Sequence, residues 1–107
     1  MELHKKKCIP CESGGTQLTD IEAKKNLEKV TDWKLNGNKI EREFVFQDFK
    51  EAMKFVNNIA KIAEEEGHHP DIHIHWNKVM LDLWTHSMKG LSENDFIVAA
   101  KINTLEV

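Results

Sequence analysis

Residues 48–67 read Asp-Phe-Lys-Glu-Ala-Met-Lys-Phe-Val-Asn-Asn-Ile-Ala-Lys-Ile-Ala-Glu-Glu-Glu-Gly. Phe49, Ala52, Met53, Val56, Ile59, Ala60 and Ala63 recur at the 3.6-residue period of an amphipathic helix, and Lys50, Lys54, Asn57 and Lys61 fall elsewhere around it. Asp48 opens the run, and Gly67 is a natural residue for the left-handed position just past a helix end. The spacing predicts a helix over about 48–66 that delivers the chain directly to His68.

The flanking segments alternate rather than turn. Upstream, Trp33-Lys34-Leu35, then Asn36-Gly37, then an alternating run to Phe46 predicts a β-hairpin, with Asn-Gly supplying a type I′ turn. Ile40, Arg42, Phe44 and Phe46 share one side of its second strand, a core-facing side interrupted by one arginine. Downstream, Ile72, Ile74 and Trp76 alternate with His73 and His75 in a third strand. Val79, Leu81 and Leu83 alternate with Met80, Asp82 and Trp84 in a fourth, with Asn77-Lys78 at the turn.

Two further helices complete the order. Thr19-Asp20-Ile21-Glu22 has the form of a capping box and starts a helix to about Val30, while Ser92-Glu93-Asn94-Asp95 starts a last helix carrying Phe96, Ala99 and Ala100. The expected fold is α+β: a four-stranded antiparallel sheet with three helices on one face, in the order α-β-β-α-β-β-α.

A chain of 107 residues makes one domain, here residues 18–107 after an irregular leader at 1–17. A net charge of −3 does not favour nucleic acid, and no apolar run approaches the ~20 residues of a membrane span. The basic start His4-Lys5-Lys6-Lys7 lacks a following apolar region, so it is no signal peptide and the cytoplasm is the expected location. Cys8 and Cys11 form a C-x-x-C in a segment ending Ser13-Gly14-Gly15, read as a mobile, reduced tail. Two thiols make at most half of a tetrahedral zinc site, to which His4 could add a third ligand.

The chemistry concentrates in Gly67-His68-His69-Pro70 and His86. Imidazoles titrate near neutral pH and suit proton transfer. No nucleotide loop, metal motif or nucleophile triad competes over these residues. A small enzyme doing acid–base chemistry is the reading of the residues themselves.

The pattern Glu64-x3-His68-His69-Pro70-x5-Trp76-x9-His86-x8-Asp95 resembles the signature of the pterin-4a-carbinolamine dehydratases. The resemblance covers the elements from about residue 19 onward and departs at Gly67 and Ile72, where several members carry an acid and an aromatic residue. It implies a hydro-lyase that dehydrates a 4a-hydroxytetrahydropterin to the quinonoid dihydropterin in pterin cofactor recycling, with no metal or cofactor of its own. It further implies a homodimer or homotetramer, and a functional link to an aromatic amino acid hydroxylase. By the same resemblance His68 and His86 form the acid–base pair and His69 holds the pterin.

Glu64, Pro70, Trp76 and Trp33 complete the candidate substrate site. Pro70 suits a turn lock, since it fixes its own φ and biases His69 away from the α region. Glu64 stands in a run of three glutamates and is divided evenly between orienting a histidine and ending a helix. Trp76 and Trp33 could flank a pterin, although large aromatics on strands more often serve core or interface. Asp95, at the third position of the last helix, is accounted for by capping. Two rivals stand: a metal site built on His73 and His75, which point to one side of a strand, and a regulatory or dimerisation protein of the same fold.

Overall fold

Thr19 and Glu22 satisfy each other: the Thr19 hydroxyl accepts from the Glu22 N–H (3.2 Å), and the Glu22 carboxylate accepts from the Thr19 N–H (2.9 Å). These bonds hold the Glu22 carboxyl below the usual range. The computed structural model describes residues 3–8 and 17–105. Helix α1 (Asp20–Leu27) is followed by β1 (Lys34–Asn36), β2 (Lys39–Val45), α2 (Phe49–Glu66), β3 (Asp71–His75), β4 (Lys78–Leu83) and α3 (Glu93–Asn103). The strands form one antiparallel sheet in the order β1-β2-β4-β3. Among the described residues no helix is long and apolar enough to cross a membrane.

Helix α2 has the ends its sequence demands. Asp48 caps it by accepting from the Glu51 N–H (2.9 Å), and Gly67 closes it in the left-handed conformation at φ 63°. The buried line is Ala52, Phe55, Ile59 and Ala63, while Phe49 is half exposed and Ala60 exposed. The expected stripe is thus rotated slightly about the axis. Phe55 decides this, because its ring packs 4.6 Å from Phe44 and 5.0 Å from Phe46. Those residues meet Ile40, Val79, Leu81 and Leu83 of the sheet and Phe96, Ile97, Val98 and Ile102 of α3 in one core. Truncating a side chain such as Ile59 there costs about 2–5 kcal/mol.

Both hairpin turns differ in register from the sequence expectation. Asn36 pairs with Lys39, so the turn residues are Gly37-Asn38, and only Gly37 has positive φ (64°). That is the type with glycine at its first central position, not the expected type I′. His75 pairs with Lys78, so Trp76 and Asn77 make the second turn, with Trp76 at φ 52°. Asn77 fixes that register: its carbonyl accepts from the Phe46 N–H (2.8 Å), and its side-chain amide donates to the Phe46 carbonyl (3.0 Å).

The arginine on the core side of β2 is satisfied at the rim. Arg42 donates to Asn103 Oδ1 (2.6 Å), stands 3.6 Å from Asp32, and lies over the Phe44 ring. Helix α1 stops at Leu27, before the expected Val30, which is buried in the turn beyond it.

Part of the segment expected as a mobile leader is packed. Leu3 is buried in the core, the Lys101 ammonium donates to the His4 carbonyl (2.9 Å), and Lys6 pairs with Glu93 (3.0 Å). The Cys8 N–H donates to Glu66 Oε1 (2.9 Å), and the Cys8 thiol faces the Asn94 carbonyl (3.7 Å). Burial, then the Glu66 carboxylate, pushes the Cys8 thiol up to about 12. Cys11 and the Ser13-Gly14-Gly15 stretch lie outside the described residues.

Candidate active site

The Asp95 carboxylate, fully buried at the start of α3, is where the site is assembled. Its Oδ2 accepts from the Ser92 N–H (2.9 Å), which is the expected cap. The same oxygen accepts from the Thr85 hydroxyl (2.9 Å), and Oδ1 lies 2.6 Å from His68 Nε2. One carboxylate therefore ties together the helix, the α2–β3 loop that carries His68 and the segment after β4 that carries His86. A carboxylate on one ring nitrogen fixes an imidazole's tautomer and orientation. With Nε2 committed, Nδ1 is the His68 nitrogen left for a ligand.

Local structure aims each histidine. Gly67 in the left-handed conformation reverses the chain, and the His68 N–H returns to the Ala63 carbonyl (3.3 Å). Pro70, buried, follows His69 and immediately precedes β3. Beyond β4, Thr85 and Gly90 exchange backbone hydrogen bonds, enclosing a short 3-10 turn at His86–Met88. His86 stands on that closed loop, its ring 4.3 Å from the Trp84 ring.

These segments face each other across an open cleft of about 340 Å³ lined by residues 67–71 and 84–87. That volume lies at the small end of the range for small-molecule sites. His68, His69 and His86 all line it, as does Pro70. His68 is mostly withdrawn into the protein, at 11% side-chain exposure, whereas His69 and His86 are open to solvent at 59% and 61%. His69 Nε2 lies 2.6 Å from Glu64 Oε2, so Glu64 orients the second histidine from the last turn of α2. Among the described residues no buried side-chain polar atom lacks a partner.

The two tryptophans of the sequence reading lie elsewhere. Trp33 is buried in the core, its indole N–H donating to Asn103 Oδ1 (2.9 Å). Trp76 sits on the β3–β4 turn, 67% exposed, and does not line the cleft. The tryptophan that does is Trp84, which the sequence places only as a position of the fourth strand alternating with Val79, Leu81 and Leu83. Asp71 and Thr85 were likewise unmarked, and Asp95 was read as a cap alone. The spacing from His68 to Asp95 carried the one available signal for that pair. His73 does not join His75 around a common centre: its Nε2 is paired with Asp82 Oδ2 at 2.9 Å on the open face of the sheet. Among the described residues no group of three or more His, Cys, Asp or Glu side chains is arranged to hold a metal ion.

Comparison with known proteins gives this geometry its family. Residues 16–105 match the family model described as pterin 4 alpha carbinolamine dehydratase. A protein of Alkaliphilus metalliredigens that bears the same dehydratase name is 47% identical over 103 residues, covering 94% of this chain and 93% of the relative. The mitochondrial pterin-4-alpha-carbinolamine dehydratase 2 of Arabidopsis thaliana is 45% identical, over 99% of this chain and 60% of the plant protein. Among solved structures, a Brucella melitensis transcriptional coactivator/pterin dehydratase is similar with a TM-score of 0.78 at 36% identity, over 82% of this chain and 96% of that one. With its family model matched from before α1 to the end of α3, and its histidines gathered at one cleft, the chain belongs to the pterin-4-alpha-carbinolamine dehydratases, a family of hydro-lyases.

Proposed function

We propose that the cleft dehydrates a 4a-hydroxytetrahydropterin to the quinonoid dihydropterin by histidine acid–base chemistry, without a metal, and so returns an oxidised pterin for reuse. In the reaction the C4a–O bond breaks and hydroxide leaves as water after taking a proton. The N5–H bond gives up its proton, and its electron pair becomes the C4a=N5 double bond. One acid and one base are needed, each contributing about 10²–10⁴ in rate. His68 and His86 are assigned these two tasks, and His69, braced by Glu64, is assigned to hold the ring.

The observation that carries the reading is the His68–Asp95 pair at 2.6 Å, set in the wall of the cleft that His86 borders. A buried carboxylate behind a mostly buried imidazole is an arrangement for holding and moving a proton. The decisive experiment is a stopped assay of 4a-hydroxytetrahydropterin breakdown with and without the protein. Acceleration supports the reading, and a rate equal to that in buffer overturns it.

Further parts of the proposal concern setting and assembly. Among the described residues the outer edges of β1 and β3 have no neighbouring strand, and self-association covers such edges. A homodimer or homotetramer in the cytoplasm, serving an aromatic amino acid hydroxylase that produces the carbinolamine, is the corresponding assignment. The double description of the Brucella melitensis relative favours a second reading, a regulatory or dimerisation role on the same fold. A pull-down from source lysate, compared with turnover by the same preparation, separates the two.

A further inference from the structure

Asp71 and Asp82 stand directly opposite each other where β3 pairs with β4. Like charges so placed repel, and each carboxylate has its own relief. Asp82 takes His73 at 2.9 Å. Asp71 takes the indole of Trp84, two residues beyond Asp82 and therefore its diagonal neighbour on the open face of the sheet: the Nε1–H donates to Asp71 Oδ2 at 3.1 Å. The second oxygen of Asp71 is turned to the cleft, with Oδ1 at 4.0 Å from His86 Nε2. The indole lies against the imidazole, ring centroids 4.3 Å apart at a tilt of 43°, and its ring also meets the Lys39 ammonium at 5.2 Å.

His86 needs such neighbours. It is on a three-residue 3-10 turn with 61% of its side chain exposed, and among the described residues its nearest carboxylate contact is that 4.0 Å approach, too long for a hydrogen bond. Its counterpart His68 is held at 2.6 Å by Asp95. An exposed side chain fixed for catalysis must offset lost rotamer freedom, and a small misplacement of a reacting group costs up to about 10²-fold in rate.

We propose that Asp71 and Trp84 are the positioning residues for His86. The indole supplies the surface that sets the ring's orientation. The carboxylate locks the indole through Nε1–H and presents an oxygen to Nε2 when the imidazole gains a proton. The catalytic meaning of this device rests on the dehydratase reading above, whereas the positioning itself does not.

The test uses the full chain with Asp71→Ala, Asp71→Asn and Trp84→Phe, each also combined with His86→Ala. Proton NMR of the ligand-free protein reads the upfield ring-current displacement of the His86 imidazole C–H resonances. That displacement is expected to collapse in Asp71→Ala and to persist largely in Asp71→Asn, which still accepts from the indole. In turnover, Asp71→Ala is expected to lower kcat about 10-fold with a smaller change in KM, and Trp84→Phe to lower it less. With His86→Ala already present, removing Asp71 should cost less than about 2-fold further, since its effect passes through the missing ring. Unmoved His86 resonances in Asp71→Ala, or an equal kcat loss in both backgrounds, would overturn the proposal. If the unaltered protein does not accelerate carbinolamine breakdown, the dehydratase reading falls while the resonances still decide the positioning.

Discussion

His68 Nε2 and Asp95 Oδ1 lie 2.6 Å apart, and the other oxygen of that carboxylate accepts from Thr85 and Ser92. Stability and proposed catalysis thus meet in one side chain. Asp95→Asn keeps the shape but replaces one acceptor oxygen by an amide N–H₂, which meets the His68 Nε2–H donor to donor unless the ring changes tautomer. It is expected to lower kcat by about 10²-fold or more and to destabilise the fold by about 1–3 kcal/mol, the cost of a buried donor facing a donor. Assay and urea unfolding on one preparation check both. A loss of stability with full turnover would show that Asp95 is a cap alone.

The three histidines are expected to fail differently. His68→Ala and His86→Ala should each lower kcat by about 10²-fold or more. His69→Ala should raise KM at least as much as it lowers kcat, because it removes ground-state binding. The double variant at 68 and 86 should lose less than the product of the single losses, since both groups serve one proton-transfer sequence. Steady-state kinetics on the four variants decide this.

His73 is committed to Asp82 on the open face of the sheet. Replacing His73 and His75 together by Ala should leave kcat within about 2-fold, and a chelator should not change it. An essential pair, with His68→Ala silent, would replace the dehydratase assignment with the metal-site rival.

Gly67 stands at φ 63° with open space where a Cβ would project. The cost of Gly67→Ala is therefore conformational rather than a clash, about 1 kcal/mol. Gly67→Asn, which tolerates this region better, should lose less. Because Gly67 directly precedes His68, kcat should fall with stability across the pair, measured by thermal unfolding and by turnover.

Cys8 links folding to alkaline pH. Its thiol is pushed up from 9.0 to about 12, so the folded state keeps a proton that the unfolded chain releases. The resulting stability is complete below about pH 9 and is lost as pH rises toward about 12. Replacing Cys8 by Ser, which does not ionise there, should flatten the fall in Tm over that interval relative to the unaltered protein. Parallel melting curves from pH 8 upward would contradict it.

Local chemistry alone accounts for several elements. The extent of α2 follows from a 3.6-residue apolar period, an acceptor at Asp48 and a residue at 67 free to take positive φ. The Thr19–Glu22 box and the Ser92–Asp95 cap are equally local, because each partner lies three residues away, and the alternation of β2 and β4 is a period-two pattern within each strand. The gathering of His68, His69 and His86 was legible only through the spacing of the family signature.

Tertiary structure alone decided the rest. Hairpin register depends on what the turn touches, and Asn77 gripping Phe46 across the sheet moved the second turn to Trp76-Asn77. Two nearly equivalent apolar lines run along α2, and the Phe44–Phe46–Phe55 cluster chose between them. Trp33 is buried in the core, where Asn103, 70 residues on, satisfies its indole N–H. Asp95 reaches His68 across 27 residues, and Asp71 reaches Trp84 through the β3–β4 pairing. A side chain's hydrogen-bond partner is set by where the packed backbone brings it, and that packing sums contacts along the whole chain.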